Sequence, residues 1–163
     1  MDAFVGKSEK GLIADLRSRG LDDYEKSASY WRKNLFATFA LDLKISEGIE
    51  TLIQQLAALV CVTSNNSHDR LKRSLGTTSL WARFGMHVYS AEDVARPKPA
   101  PDLGLHCLSR FNARPELSVM IDDSTHGIQA AVAAGVTAIG FIDPNDPRPN
   151  SAQISVKRLV RRT

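Results

Sequence analysis

In Ser118–Gly127, SVMIDDSTHG, an apolar run leads directly into two carboxylates, a hydroxyl and a glycine. Two carboxylates at the end of a buried strand repel each other unless a cation lies beside them. Asp122 and Asp123 are therefore candidate ligands of a hard metal ion. A simpler interpretation stays open, in which Asp122 ends the strand and Asp123 or Ser124 caps the next helix.

Outward from this stretch, short apolar runs alternate with helical patterns. The predicted strands are Leu59–Thr63, Met86–Tyr89, Leu117–Ile121 and Thr137–Ile142. The predicted helices are Gly48–Leu56, Ser67–Leu75, Asp102–Phe111 and Gly127–Ala134. This alternation favours an α/β fold with a Rossmann-like, mostly parallel sheet and helices on both faces. Upstream the spacing is only helical, so the predicted domains are a helical segment at 1–44, an α/β core at 45–150 and a basic tail at 151–163.

The composition is that of an ordinary globular chain, with 163 residues of which 43% are hydrophobic. No apolar run approaches the roughly twenty residues that a membrane span needs. The opening MDAFVGKSEK lacks the apolar centre of a signal peptide. We therefore expect a cytoplasmic protein without a membrane partner, in which Cys61 and Cys107 are reduced and buried.

The net charge of +3 is unevenly distributed and does not by itself indicate an anionic macromolecular partner. Four cations crowd the basic tail, namely Lys157, Arg158, Arg161 and Arg162. A basic chain end is usually solvated, and no aromatic residues alternate with these cations as a single-strand binder requires. We expect no nucleic-acid partner.

Three polar clusters lie at, or just after, the ends of predicted strands, at 63–67, 96–102 and 122–124. Ligands of open parallel sheets bind beyond the carboxyl ends of the strands. The first cluster offers donors at a helix start, the second a lysine among three prolines, and the third two carboxylates. Each also has a structural interpretation, because serines cap helices and loop lysines are usually solvated. Together they favour a phosphate site with magnesium.

Three segments carry a resemblance to a known family: CVTSNNSHDRL (61–71), YSAEDVARPKPAPDL (89–103) and VMIDDSTHGIQAAVAAGVTAIGF (119–141). From about residue 4 to 149 the chain resembles the haloacid dehalogenase-like hydrolases, in particular the capped branch that includes beta-phosphoglucomutase and phosphoglycolate phosphatase. The resemblance implies action on phosphate esters of small metabolites, with Mg²⁺. It implies that Ser64 and the Asn65 backbone N–H bind the phosphoryl group, that Lys98 bridges phosphate and nucleophile, and that Asp122 and Asp123 hold Mg²⁺.

The chain also departs from this family. The family nucleophile is the first aspartate of an Asp-x-Asp motif after the first strand, upstream of the cap, and this sequence has no such motif. Without that nucleophile the route through a covalent phosphoenzyme is closed, so we expect a truncated family chain, inactive alone, whose core lacks its first strand. The alternative is a non-catalytic pseudoenzyme or remnant that binds a phosphorylated ligand, self-associates or pairs with another chain's strand. Gln153–Val156 is a weaker candidate for filling the missing strand position.

Overall fold

A computed structural model describes residues 9–20 and 24–141. The described residues up to Ser90 belong to one compact unit, and those from Ala91 onward belong to another. The predictions for residues 1–8, for Gln153–Val156 and for the basic tail lie outside the described residues.

The first unit contains five helices and one pair of strands among its described residues. The helices are α1 (Glu9–Ser18), α2 (Tyr24–Asp42), α3 (Ile49–Gln55), α4 (His68–Gly76) and α5 (Leu80–Phe84), and the strands are β1 (Val62–Ser64) and β2 (Val88–Ser90). β1 and β2 are parallel, with Val62 paired to Val88. Leu71, Phe84 and Val88 form the buried core of this unit. α4 faces this core through Leu71 and presents Lys72 and Arg73 to solvent.

The second unit is built around another parallel pair, β3 (Val119–Asp122) and β4 (Thr137–Gly140). The helices α6 (Asp102–Phe111) and α7 (Thr125–Ala133) complete its regular structure, with short 3₁₀ turns at Ala91–Asp93 and Pro115–Leu117. Small residues at the end of α7 pack closely over the sheet, because Ala131 on the helix and the C-cap residue Ala134 contact a core that includes Met120 of β3 and Ala138 of β4. The glycine after α7, Gly135, has φ 74°, a conformation that glycine adopts without strain.

The other face of the β3–β4 pair is apolar and exposed. Val119 and Ile121 on β3 are 58% and 57% exposed, and Ile139 and Phe141 on and after β4 are 46% and 44% exposed. Parallel strands are ordinarily covered on both faces. Within the described residues this pair is covered by helix on one face only.

The predicted α/β class is confirmed, with parallel strands alternating with helices. Within residues 9–20 and 24–141 the strands form two parallel pairs, β1–β2 and β3–β4. The predicted boundary at residue 44 stays a prediction. Within the first unit α2 contacts α4, since the Arg73 guanidinium of α4 lies 4.6 Å from the ring centre of Phe36 on α2.

Two further sequence expectations concern thiols and membranes. Neither cysteine forms a disulfide; Cys107 is buried, whereas Cys61 is only half-buried. Among the helices of the described residues, none is both long enough and apolar enough to cross a bilayer.

Leu103 anchors α6, and its replacement tests how strongly the second unit depends on that helix. The side chain is fully buried at 0% exposure. We expect Leu103→Ala to lower the free energy of unfolding by about 3 kcal/mol, because it loses apolar burial and leaves a cavity. Leu105→Ala on the same helix is the matched control, since Leu105 is 46% exposed. Urea denaturation measures both variants; equal losses would show that α6 is not part of a cooperative core.

Candidate functional site

Lys98 and Asp122 form a buried ion pair in the second unit. Lys98 follows Pro97 in the proline-rich loop before α6, and Asp122 is the last residue of β3. The Lys98 Nζ lies 2.8 Å from Oδ2 of Asp122, and the two side chains are 6% and 13% exposed. The structure therefore joins the second and third sequence clusters directly, across 24 residues of chain. The solvated-loop interpretation of Lys98 is wrong, because the residue is buried and paired.

The second carboxylate oxygen of Asp122 is held by the turn that follows β3. Oδ1 accepts the Ser124 backbone N–H at 2.9 Å and the Ser124 hydroxyl at 2.7 Å. The same hydroxyl oxygen accepts the Gly127 N–H at 3.0 Å and so caps α7. The capping interpretation of Ser124 is confirmed. It does not compete with a functional interpretation of Asp122, because one serine serves both the helix and the carboxylate.

These contacts keep Asp122 ionised. Burial alone would raise its pKa, but the charge of Lys98 and hydrogen bonds from Lys98 and Ser124 outweigh burial, so the pKa lies below the ordinary value of 3.8. The carboxylate is therefore negative at neutral pH, where it balances the Lys98 ammonium.

Gly127 lets the Asp122 carboxylate lie close to the first turn of α7. A β-carbon placed at Gly127 would overlap the carbon and both oxygens of that carboxylate. Any larger residue at 127 would displace Asp122 from Lys98 and Ser124. The sequence singled out Gly127 as part of the Ser118–Gly127 stretch and as the first residue of a predicted helix, but it did not predict this close approach of the Asp122 carboxylate.

Asp123 follows Asp122 directly and is exposed. Carboxylates are hard oxygen donors, and Mg²⁺ in proteins is commonly held by one or two of them together with water and substrate phosphate. An ionised carboxylate offers about four acceptor positions, so the contacts of Asp122 do not exhaust its capacity. The pair therefore fits Mg²⁺ in donor type. No cluster of three or more His, Cys, Asp or Glu ligands occurs within residues 9–20 and 24–141.

Ser64 and Asn65 lie in the first unit, where β1 ends. The Ser64 Oγ accepts the Asn66 N–H at 3.2 Å, which shapes the turn, and Ser67 caps α4 by accepting the Arg70 N–H. Ser90 at the end of β2 is fully buried and donates a hydrogen bond of 2.7 Å to the Asn66 carbonyl. Ser90 was not identified from the sequence as a residue that holds this turn. Its position directly after the predicted strand Met86–Tyr89 was the signal that could have identified it. That Ser64 and Asn65 join Lys98 at one phosphate stays a prediction.

The fold and these strand-end clusters define an α/β protein with a charged site at the carboxyl end of a parallel strand. Comparison with protein families matches residues 1–141 to the haloacid dehalogenase-like hydrolases. The chain belongs to this family, as the sequence resemblance predicted.

Individual relatives are phosphatases. The 6-phosphogluconate phosphatase of Escherichia coli is 29% identical over 117 residues, covering 71% of this chain and 53% of that protein. The fructose-1-phosphate phosphatase of the same organism is 37% identical over 84 residues, covering 44% of this chain and 45% of that protein. The chain thus spans about half the length of these curated relatives.

Solved structures share the fold. A haloacid dehalogenase-like protein of unknown function from Agrobacterium tumefaciens superimposes with a TM-score of 0.75 at 32% identity, covering 93% of this chain and 70% of that one. A family hydrolase from Deinococcus radiodurans, solved with bound phosphate and sodium, gives a TM-score of 0.67 at 28% identity, covering 90% of this chain and 66% of that one.

Proposed function

We propose that this chain carries the phosphate and magnesium site of a phosphatase or phosphomutase that acts on phosphate esters of small cytoplasmic metabolites. The buried Lys98–Asp122 pair beside Asp123 is the observation that carries the proposal. A buried ammonium at a strand end has little structural reason to be there, since an apolar residue would cost less to bury. The Lys98 ammonium is, however, well suited to bind a phosphate group together with Mg²⁺.

The predicted site residues have different roles in binding the phosphate group. Lys98 has three N–H donors, one of which goes to Asp122, and its charge attracts the phosphate. The Ser64 hydroxyl and the Asn65 backbone N–H would donate to phosphate oxygens. Asp122 and Asp123 would hold Mg²⁺, which neutralises phosphate charge when bound.

The phosphatases among the relatives support a phosphate-ester substrate, and the bound phosphate in the Deinococcus radiodurans structure supports an anion site in this fold. The sequence has no Asp-x-Asp motif that could supply the family nucleophile. The proposal is therefore that these residues bind and orient phosphate, and that this chain alone does not hydrolyse phosphate esters.

Calorimetric titration with inorganic phosphate, with and without Mg²⁺, tests the site. We expect phosphate binding that requires Mg²⁺ and weakens at least about tenfold in Asp123→Asn, since one metal carboxylate is lost. Glu116→Gln is the matched control, because Glu116 is exposed in the 3₁₀ turn of the same unit. Failure of the wild type to bind phosphate with Mg²⁺ would overturn the proposal.

Hydrolysis of p-nitrophenyl phosphate by the same preparations tests the second part. We expect no turnover by the wild type or by Asp123→Asn. Turnover by the wild type that disappears in Asp123→Asn would show that a residue of this chain replaces the family nucleophile. Activity retained in Asp123→Asn would indicate a contaminating phosphatase.

A second candidate function is pairing with another chain, and one observation favours it. Each strand of the described residues has one hydrogen-bonded neighbour, and β3 and β4 expose the apolar face of Val119, Ile121, Ile139 and Phe141. Light scattering at several protein concentrations tests this candidate. A monomer at every concentration would contradict self-association.

A further inference from the structure

A bidentate ion pair spans the loop that carries Lys98. The Arg96 Nε lies 3.1 Å from Oδ2 of Asp102, and one terminal guanidinium nitrogen lies 2.7 Å from Oδ1. Two parallel N–H···O bonds fix both the distance and the orientation of the two groups. Lys98 lies between Arg96 and Asp102 in the chain, so this ion pair closes the loop from which the Lys98 side chain extends to Asp122.

The loop has few backbone N–H donors with which to hold its own shape. Three of its residues, Pro97, Pro99 and Pro101, have no N–H and cannot donate a backbone hydrogen bond. A turn bond from the Ala100 N–H to the Pro97 carbonyl, at 3.0 Å, lies inside the loop. The prolines restrict the backbone but do not tie the loop to the rest of the unit.

Asp102 ties the loop to a rigid element. It is the first residue of α6, directly before the fully buried Leu103, and an anion in the first helical turn is favoured by the helix dipole. The Asp102 side chain is 19% exposed, whereas that of Arg96 is 71% exposed. Arg96 is thus the movable partner, and its pairing with Asp102 draws the start of the loop against the helix.

We propose that the Arg96–Asp102 ion pair positions Lys98, so that the ammonium lies at Asp122 with little reorganisation when phosphate binds. The inference rests on the proposed function for its effect on phosphate affinity, and on the loop geometry alone for its effect on loop order. Neither residue is proposed to touch the phosphate. Both are positioning residues that act through Lys98.

Two single variants distinguish positioning from simple charge effects. Arg96→Gln removes a positive charge, and Asp102→Asn removes a negative charge. If only long-range charge mattered, the first would weaken phosphate binding and the second would strengthen it. Positioning predicts that both weaken phosphate binding in Mg²⁺ about three- to fivefold, on the scale of an exposed ion pair. Arg110→Gln, in the last turn of α6, is the charge-matched control and should leave the affinity within about twofold.

Further variants test whether the two residues act as a unit. The double variant Arg96→Gln with Asp102→Asn should bind phosphate no more weakly than either single variant, because the ion pair is already lost. Arg96→Lys should restore part of the affinity, since it retains the charge but not the two-pronged geometry. Effects of opposite sign in the two single variants, or fully additive losses, would overturn the proposal.

Hydrogen exchange at the Ala100 amide provides a readout that needs no ligand. We expect faster exchange in Arg96→Gln and in Asp102→Asn than in Arg110→Gln, with thermal midpoints close to the wild-type value. Unchanged exchange at Ala100 in both variants would overturn the proposal. If the wild type fails to bind phosphate, the proposed function fails, and this measurement decides the role of the ion pair by itself.

Discussion

Gly127→Ala should lower the free energy of unfolding by about 3 kcal/mol, a large effect for the addition of one methyl group. The added carbon would overlap the Asp122 carboxylate, so that side chain must move. The movement breaks the contacts of Asp122 with Lys98 and Ser124, and it leaves the Lys98 ammonium without its carboxylate partner in a buried position. The loss therefore comes from the ion pair rather than from the helix.

Urea denaturation measures this effect against Gly76→Ala. Gly76 ends α4, and a β-carbon there meets nothing within 4 Å, so that variant should be neutral or up to about 1 kcal/mol more stable. A double-mutant cycle with Asp122→Ala tests whether the overlap with Asp122 causes the loss of stability. Asp122→Ala removes the carboxylate that the added methyl group would displace. Adding Gly127→Ala to Asp122→Ala should then cost less than about 1 kcal/mol. A full loss in the Asp122→Ala background would show that the overlap with Asp122 is not the reason.

The sequence predicted the bounds of α6 better than those of the first strand. α6 was predicted as Asp102–Phe111 and has those bounds, because its apolar spacing persists over several turns. The first strand was predicted at 59–63 but lies at Val62–Ser64. An apolar run indicates a buried strand, but the neighbouring strand decides which of its residues are paired in the sheet. Here the pairing extends to Ser64, which lies opposite Ser90. α5 was missed, since five residues are too few to show a helical period.

Local contacts at the site were predictable, and distant ones were not. The capping role of Ser124 follows from a serine between a strand and a helix. The Lys98–Asp122 contact joins residues from separate elements; their places after predicted strands put both at one edge of a sheet, but nothing in the spacing predicted a direct contact between them. Nothing in composition or spacing singled out Arg96 with Asp102, because a charged pair in a loop is most often two solvated residues.

Lys98→Met should lower the free energy of unfolding at pH 7 by about 3 kcal/mol, because it leaves the Asp122 carboxylate buried without its cation. It should also abolish measurable phosphate binding, since the charge that attracts the anion is gone. Methionine fills a volume similar to that of the lysine stem, so a cavity contributes little to the loss.

The pH dependence of the stability lost in Lys98→Met identifies the cause of that loss. In the wild type the pKa of Asp122 is depressed, so its contribution to stability is present above the unfolded value of 3.8 and is lost as pH falls through the folded value. In Lys98→Met the charge of Lys98 no longer opposes burial, so the pKa of Asp122 should rise. The carboxyl then takes up a proton as pH falls, which relieves the buried charge. The stability difference between wild type and variant should therefore shrink from pH 7 toward pH 3.

Urea denaturation at several pH values in EDTA-containing buffer measures that difference without interference from metal ions. Lys72→Met is the matched control, because Lys72 is exposed on α4 and its loss should change stability by no more than about 0.5 kcal/mol at any pH. A difference for Lys98→Met that stays constant between pH 7 and pH 3 would mean that packing, not the charge of Asp122, sets the cost. A difference that shrinks, together with lost phosphate binding, would mean that Lys98 both neutralises the buried Asp122 carboxylate and supplies the charge that attracts phosphate.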